Sequence, residues 1–278
     1  AKLPPPSFPP FTDRPIPATR AQATSLSYTA LATYEQCGYR FYAQRILGLP
    51  DLPNPALPAG GEQRGRAAGT AASVRGGLTG AQRGTLIHQV LAGMDLRDPS
   101  LREAMPTDVR GLLTGLIGSS TFARLAGLRD VSREQRFAFP VGETLITGVF
   151  DVIAQDSPGH LLVLDYKSDH LAGAEPAVLV SERYMAQRLI YALAALKLGA
   201  PTVEVVHLFL EAPENPAWAE FRVADMLALE AELAERVASV GGNQLDDFRV
   251  TNAPGRRVCD SCPAQGGLCS YPLELTSR

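Results

Sequence analysis

Between Leu145 and Tyr166, two runs rich in β-branched, aliphatic and aromatic residues flank the segment Gln155-Asp156-Ser157-Pro158-Gly159-His160. A run, a Pro-Gly turn and a second run define a β-hairpin with a slightly long loop, and the chain around it must supply the rest of a sheet. Residues two apart in a strand share a face, so Asp165 and Lys167 point one way and Tyr166 the other. Pairing across the hairpin brings Asp151 toward Asp165. Two carboxylates and an ammonium then converge on one patch of sheet. Aspartates at strand ends also make turns and surface ion pairs, and features elsewhere in the chain have to separate these readings.

The flanking pattern extends the sheet. Val131 to Val141 reads as a strand before the hairpin, Val203 to Leu210 and Trp218 to Val223 as two strands after it. Apolar spacing predicts helices from Ser27, a candidate N-cap, through Tyr34 and Cys37 to Ile46, and over Gly80–Met94 and Leu101–Leu116, with a short one to Leu125. Further helices are expected over Ser181–Leu198 and Met226–Val240. This order implies an α/β fold, a mixed central sheet flanked by helices. The 278 residues, 45% hydrophobic and 20% charged, suit a core of that size. Residues 25–278 read as one domain, with a mobile Pro-, Gly- and Ala-rich loop at 51–80 and a cysteine-bearing tail at 250–278. Residues 1–24, proline-rich and starting at Ala1 instead of Met, read as a linker cut from a longer polypeptide. No apolar run is long enough to span a membrane, and no signal-peptide core opens the chain. A net charge of −3 requires any nucleic-acid partner to be held by a local basic groove.

Four residues stand out beside the hairpin. His88 lies near the apolar stripe of its helix, where a core histidine or a metal ligand would both fit. Glu134 is either a strand-surface charge or part of an acidic site. Gln187 and Tyr191, four apart, stack on one helix face. They can make a buried structural hydrogen bond or contact a phosphate or Lys167. Cys37, Cys259, Cys262 and Cys269 are all the cysteines, three of them close together, which fits metal ligation in a reducing cytosol better than disulfides.

In chain order these form G-x-x-x-H (Gly84–His88), E-x-x-F (Glu134–Phe137), G-x-x-D (Gly148–Asp151), D-Y-K (Asp165–Lys167) and Q-x-x-x-Y (Gln187–Tyr191). The set resembles the RecB-type nuclease group of the PD-(D/E)xK superfamily. The stretch Leu26-Ser27-Tyr28 through Tyr34-x-x-Cys37-Gly38-Tyr39-Arg40-Phe41-Tyr42 resembles that group's opening helix. The resemblance extends to the nuclease domains at the C-termini of RecB, AddA, AddB and AdnA helicase–nucleases, and CRISPR-adaptation exonucleases share the motifs. It implies a deoxyribonuclease, exonuclease-like and cytoplasmic, acting on single-stranded DNA beside a helicase domain in double-strand-break repair. It implies Mg²⁺ or Mn²⁺ on His88, Asp151, Asp165 and the Tyr166 backbone carbonyl, with Lys167 catalytic and Glu134, Gln187 and Tyr191 supporting. The four cysteines resemble an AddB-like staple around a [4Fe–4S] cluster, with structural Zn²⁺ as the alternative. A catalytically silent DNA-binding module and a stand-alone CRISPR-type exonuclease are the competing functional readings.

Overall fold

The computed structural model describes residues 25–52, 78, 80–240 and 247–277. The linker expected at 1–24 and most of the loop expected at 51–80 lie outside these. The chain divides into two compact units, one of residues 1–73 with 236–278 and one of 74–235.

The smaller unit opens with β1 (Ser25–Ser27), α1 (Tyr28–Gln36) and α2 (Gly38–Phe41), continued by a π-helical turn, Tyr42–Ile46. Ser27 caps α1 as expected, its Oγ accepting from Ala30 N at 3.2 Å. Of the helix or helix pair expected up to Ile46 the pair forms, with the break at Cys37, whose backbone is extended (φ −160°, ψ 100°). The break lets the tail dock. Tyr39 N donates to Arg249 O, and a Cβ on Gly38 would come within 3.0 Å of Arg249 N. Phe248 packs on Tyr42 with ring centroids 4.9 Å apart. Tyr39 Oη donates to Leu268 O and an Arg40 guanidinium N–H to Val258 O, so this helical turn grips the tail at three places.

The larger unit holds α3 (Gly80–Gly93), α4 (Thr107–Ile117) and α5 (Ser120–Gly127), then strands β2 (Arg129–Val141), β3 (Thr144–Ser157) and β4 (His160–Lys167). Helices α6 (Pro176–Arg183) and α7 (Met185–Lys197) lead to β5 (Thr202–Phe209) and β6 (Ala217–Arg222), and α8 (Met226–Ser239) follows. The strands pair β2–β3, β3–β4 and β5–β6 antiparallel and β4–β5 parallel. The α6–α7 crossover is what a parallel pair requires. The sheet is mixed, with helices packed on it. One face, with Leu162, Leu164 and Tyr166 of β4 and Val206 and Leu208 of β5, packs on Ile87 and Leu91 of α3, Leu113 of α4 and Leu125 of α5. Helix α7 packs on β4 and β5.

Three boundaries differ from expectation for local reasons. The hairpin turn is tighter, Pro158-Gly159 alone, because Gly159 takes a left-handed conformation (φ +77°). Helix α4 begins after Pro106, well past Leu101, since a proline disfavours helix in the residue before it. The helix expected from Ser181 is two helices, starting at Pro176 and interrupted at Tyr184 (φ −121°, ψ 9°).

Candidate active site

The residues singled out in sequence converge within the larger unit. Val152 pairs with Leu164, which sets Asp151 and Asp165 side by side on β3 and β4. Asp151 is oriented by the backbone, its Oδ2 accepting from Tyr166 N at 2.8 Å. Asp165 is buried, 3% exposed, and sits in a polar network. Its Oδ1 accepts from Gln187 Nε2 at 2.6 Å and lies 3.2 Å from Tyr191 Oη. Lys167 Nζ stands 2.8 Å from Asp165 Oδ2 and donates to Gln187 Oε1 at 2.7 Å. Gln187 Nε2 is also within 3.0 Å of Tyr191 Oη. The single Tyr191 hydroxyl proton can go to Val149 O at 2.8 Å or to Asp165. The amide of Gln187 therefore has its oxygen on the cation and its nitrogen on the carboxylate.

This network splits the two aspartates electrostatically. Burial is the largest influence and pushes Asp165 up, but the Lys167 ammonium, by charge and hydrogen bond, together with His207 and His88 outweighs it, and the carboxyl lies below its ordinary value. Burial and then the neighbouring Asp165 charge hold Asp151 above the usual range.

His88 faces Asp151, Nδ1 to Oδ1 at 3.3 Å, and that hydrogen bond raises the imidazole's pKa against the opposing effect of burial. The close fit of α3 places it. Arg83 donates to Ser168 O at 2.9 Å, and a Cβ on Gly84 would lie 3.1 Å from Ser168 Oγ, so the helix rests on the chain leaving Lys167. Glu134 completes a cluster: ligand atoms of His88, Glu134 and Asp151 all lie within 4.8 Å of one another. Arg133 pairs with Val152 and Gln135 with Phe150, which puts Glu134 opposite Asp151, and Glu134 adopts a left-handed backbone (φ +51°). Such a conformation costs a non-glycine residue about 1–2 kcal/mol. Asp165 and the Lys167 network stand beside this trio, tied to it through the Asp151–Tyr166 bond.

Two motif residues act through packing. Phe137 pairs with Gly148, and a Cβ on Gly148 would run into the Phe137 ring. That ring lies tilted against Phe150, centroids 4.5 Å apart, and meets Tyr191 edge-on at 5.9 Å. Sequence reasoning missed Tyr184 and His207. Lys167 Nζ lies 4.0 Å from the Tyr184 ring centroid. His207 pairs in register with Asp165 and is fully buried, and burial lowers its pKa to about 3. The spacing 184, 187, 191 was a usable signal for Tyr184. None marked His207.

A second group, Asp156, His160 and Glu204, has similar ligand spacing, but Arg124 bridges Glu204 at 2.6 Å and Asp156 at 3.2 Å. In the smaller unit, Cys37, Cys259, Cys262 and Cys269 are free thiols that line one cavity. Burial pushes the Cys262 thiol up.

The PD-(D/E)XK nuclease superfamily matches residues 25–267, and the chain belongs to it. One ATP-dependent helicase/nuclease protein of Bacillus cereus (strain ATCC 10987 / NRS 248) is 26% identical over 159 residues, 44% of this chain and 13% of that protein. Its counterpart of the same name in Bacillus thuringiensis subsp. konkukian (strain 97-27) is 25% identical over the same share. The chain thus matches a small part of these relatives' length. The solved structure titled "Crystal structure of SSO0001" aligns with 89% of this chain and 86% of its own, at 15% identity and a TM-score of 0.38. Among the described residues, no helix is long and apolar enough to cross a membrane.

Proposed function

We propose that this chain is a divalent-metal-dependent deoxyribonuclease, the nuclease module of a helicase–nuclease that cuts single-stranded DNA exonucleolytically during double-strand-break repair in the cytoplasm. The observation carrying this reading is the convergence of His88, Glu134 and Asp151 beside the Asp165–Lys167 pair. The donor set suits Mg²⁺ or Mn²⁺, being oxygen-rich with one imidazole. Asp165 adds a buried carboxylate, its Oδ2 paired with the Lys167 ammonium at 2.8 Å. His88, Asp151, Asp165 and the Tyr166 carbonyl would hold the ion, with Glu134 close enough to share it.

Such an ion supplies Lewis acidity at a phosphate oxygen and a more acidic water. The remaining work falls to the chain. Lys167, fixed between Gln187 and Asp165, presents a positive charge where negative charge gathers on the phosphate. Gln187 and Tyr191 hold Asp165 in place, and Lys167 favours its ionised form. Against a silent DNA-binding module stands the presence of every acidic residue and the lysine. The test is Asp165→Asn on a labelled single-stranded oligonucleotide with Mg²⁺ or Mn²⁺. Cleavage by the wild type, its loss with chelator and its loss in a folded variant are expected; near wild-type cutting by the variant rejects the assignment.

The cysteine cavity supports a [4Fe–4S] staple joining the tail to α1 and α2. Anaerobically purified protein should then be brown, with broad absorbance near about 400 nm. Colourless protein with stoichiometric zinc replaces the cluster by a zinc staple.

A further inference from the structure

Among the close neighbours of the Lys167 ammonium, the roles of two are plain: Asp165 Oδ2 at 2.8 Å and Gln187 Oε1 at 2.7 Å. Another is the face of Tyr184, 4.0 Å from Nζ to the ring centroid. A cation over a ring face is attracted by the ring's quadrupole, more strongly when desolvated, and Lys167 is 8% exposed. The backbone and the neighbours combine to aim this ring. Tyr184 sits at the break between α6 and α7, in the sparsely populated region at φ −121°, ψ 9°. Its N–H donates to Val180 O and its carbonyl accepts from Arg188 N, so the break is anchored on both sides. His207 stacks on the ring at 5.9 Å and 29°, and Phe209 meets it edge-on at 6.2 Å. His207 is fully buried with neither ring nitrogen hydrogen-bonded. It packs against the Tyr184 ring as a flat plate.

We propose that Tyr184 is a positioning residue of the hydrolytic site, its ring face holding the Lys167 ammonium in place through a cation–π contact, with His207 and Phe209 fixing the ring. This rests on the nuclease reading, because it assigns Tyr184 a share of the lysine's role. The hydroxyl is not needed; the π face is. Two alternatives differ in outcome. If Tyr184 only fills space, any apolar side chain of similar size should serve. If it holds the cation, activity should follow the electron density of the ring.

The experiment replaces Tyr184 by phenylalanine and by phenylalanines of increasing ring fluorination, which drains the ring face while nearly keeping its shape. Tyr184→Leu is the endpoint, with thermal melting as a check on the fold. Tyr184→Phe should keep kcat near the wild-type value. Tyr184→Leu should lower kcat about tenfold with KM for the oligonucleotide unchanged, and the fluorinated series should fall stepwise between them. In the NMR spectrum, ring current should shift the Lys167 ε-methylene protons upfield in the wild type and Tyr184→Phe but not in Tyr184→Leu. A flat fluorine series in an active enzyme overturns the proposal and leaves the nuclease reading standing. Wild-type protein that cuts no DNA overturns both, whatever the NMR shift, so the two failures are told apart by the wild-type assay alone.

Discussion

Two clusters built from the same parts lie along the β3–β4 hairpin. Near the turn, Asp156 and His160 join Glu204 of β5; toward the other end, Asp151 joins His88 of α3 and Glu134 of β2. Ligand spacing does not separate them. Charge does. Arg124 reaches into the first cluster and pairs with both carboxylates, and its own pKa is raised, chiefly by the bond to Glu204. In the second, the nearby cation Lys167 is committed to Asp165, one strand away, and Asp151 meets a histidine instead. A ring of donors is open to an added cation when no resident one already balances it.

The contrast is most open to attack at the paired aspartates. Asp151→Asn should eliminate Mg²⁺- or Mn²⁺-dependent cleavage and the associated heat of metal binding, while Asp156→Asn should keep both. Equal losses in the two variants, by calorimetry and by an oligonucleotide assay, would erase the distinction. Next in size, Lys167→Ala should lower kcat by about 10²–10³ if its role is electrostatic, with metal affinity largely retained. Joint loss of rate and metal binding would make Lys167 structural.

Acid should act on the same end of the hairpin. His207 has its folded pKa lowered to about 3, so below pH 6.5 the unfolded chain takes up a proton that the folded one refuses. Stability therefore rises with pH across this window, and lowering the pH from 7 to 5 should cost about 2 kcal/mol through this residue. Urea melts of wild type and His207→Leu measure it, and parallel pH dependences in the two would refute it. Smallest of all, Arg124→Gln should leave cleavage unchanged and shift stability by less than about 1 kcal/mol, as half-exposed ion pairs do. It should also let one further, weak Mn²⁺ bind near the turn. Unchanged Mn²⁺ stoichiometry by calorimetry would show that Arg124 is not what closes that cluster.

The legible parts of the site were the local ones. Strand alternation placed Asp165 with Lys167, and the four-residue helical repeat placed Gln187 with Tyr191 on one face. The sheet followed from the runs around Pro158-Gly159. Other features depend on geometry that spacing does not encode. The approach of Glu134 to His88 and Asp151 goes with a left-handed residue inside a strand. The spacing of Tyr184 from Gln187 and Tyr191 hinted at a shared face, but its reach to Lys167 comes from two helices meeting where one was expected. His207 lies beside Asp165 only through the parallel register of β4 and β5, set by the crossover between them. The order of the cysteines could be read, but their common cavity is a property of the folded tail.

The hydrogen bond from Tyr166 N to Asp151 Oδ2 would bias how that carboxylate grips an ion. With one lone pair of Oδ2 taken by the backbone, Asp151 turns Oδ1 toward His88, 3.3 Å away, so an ion seated between them would be gripped chiefly by that oxygen. For an octahedral ion such as Mg²⁺, which usually keeps several waters, that leaves coordination positions open for water and phosphate. An asparagine at 151 would turn its carbonyl to the Tyr166 N–H and point its amide hydrogens into the site. It would thus match the aspartate in shape while presenting a donor where an acceptor is needed.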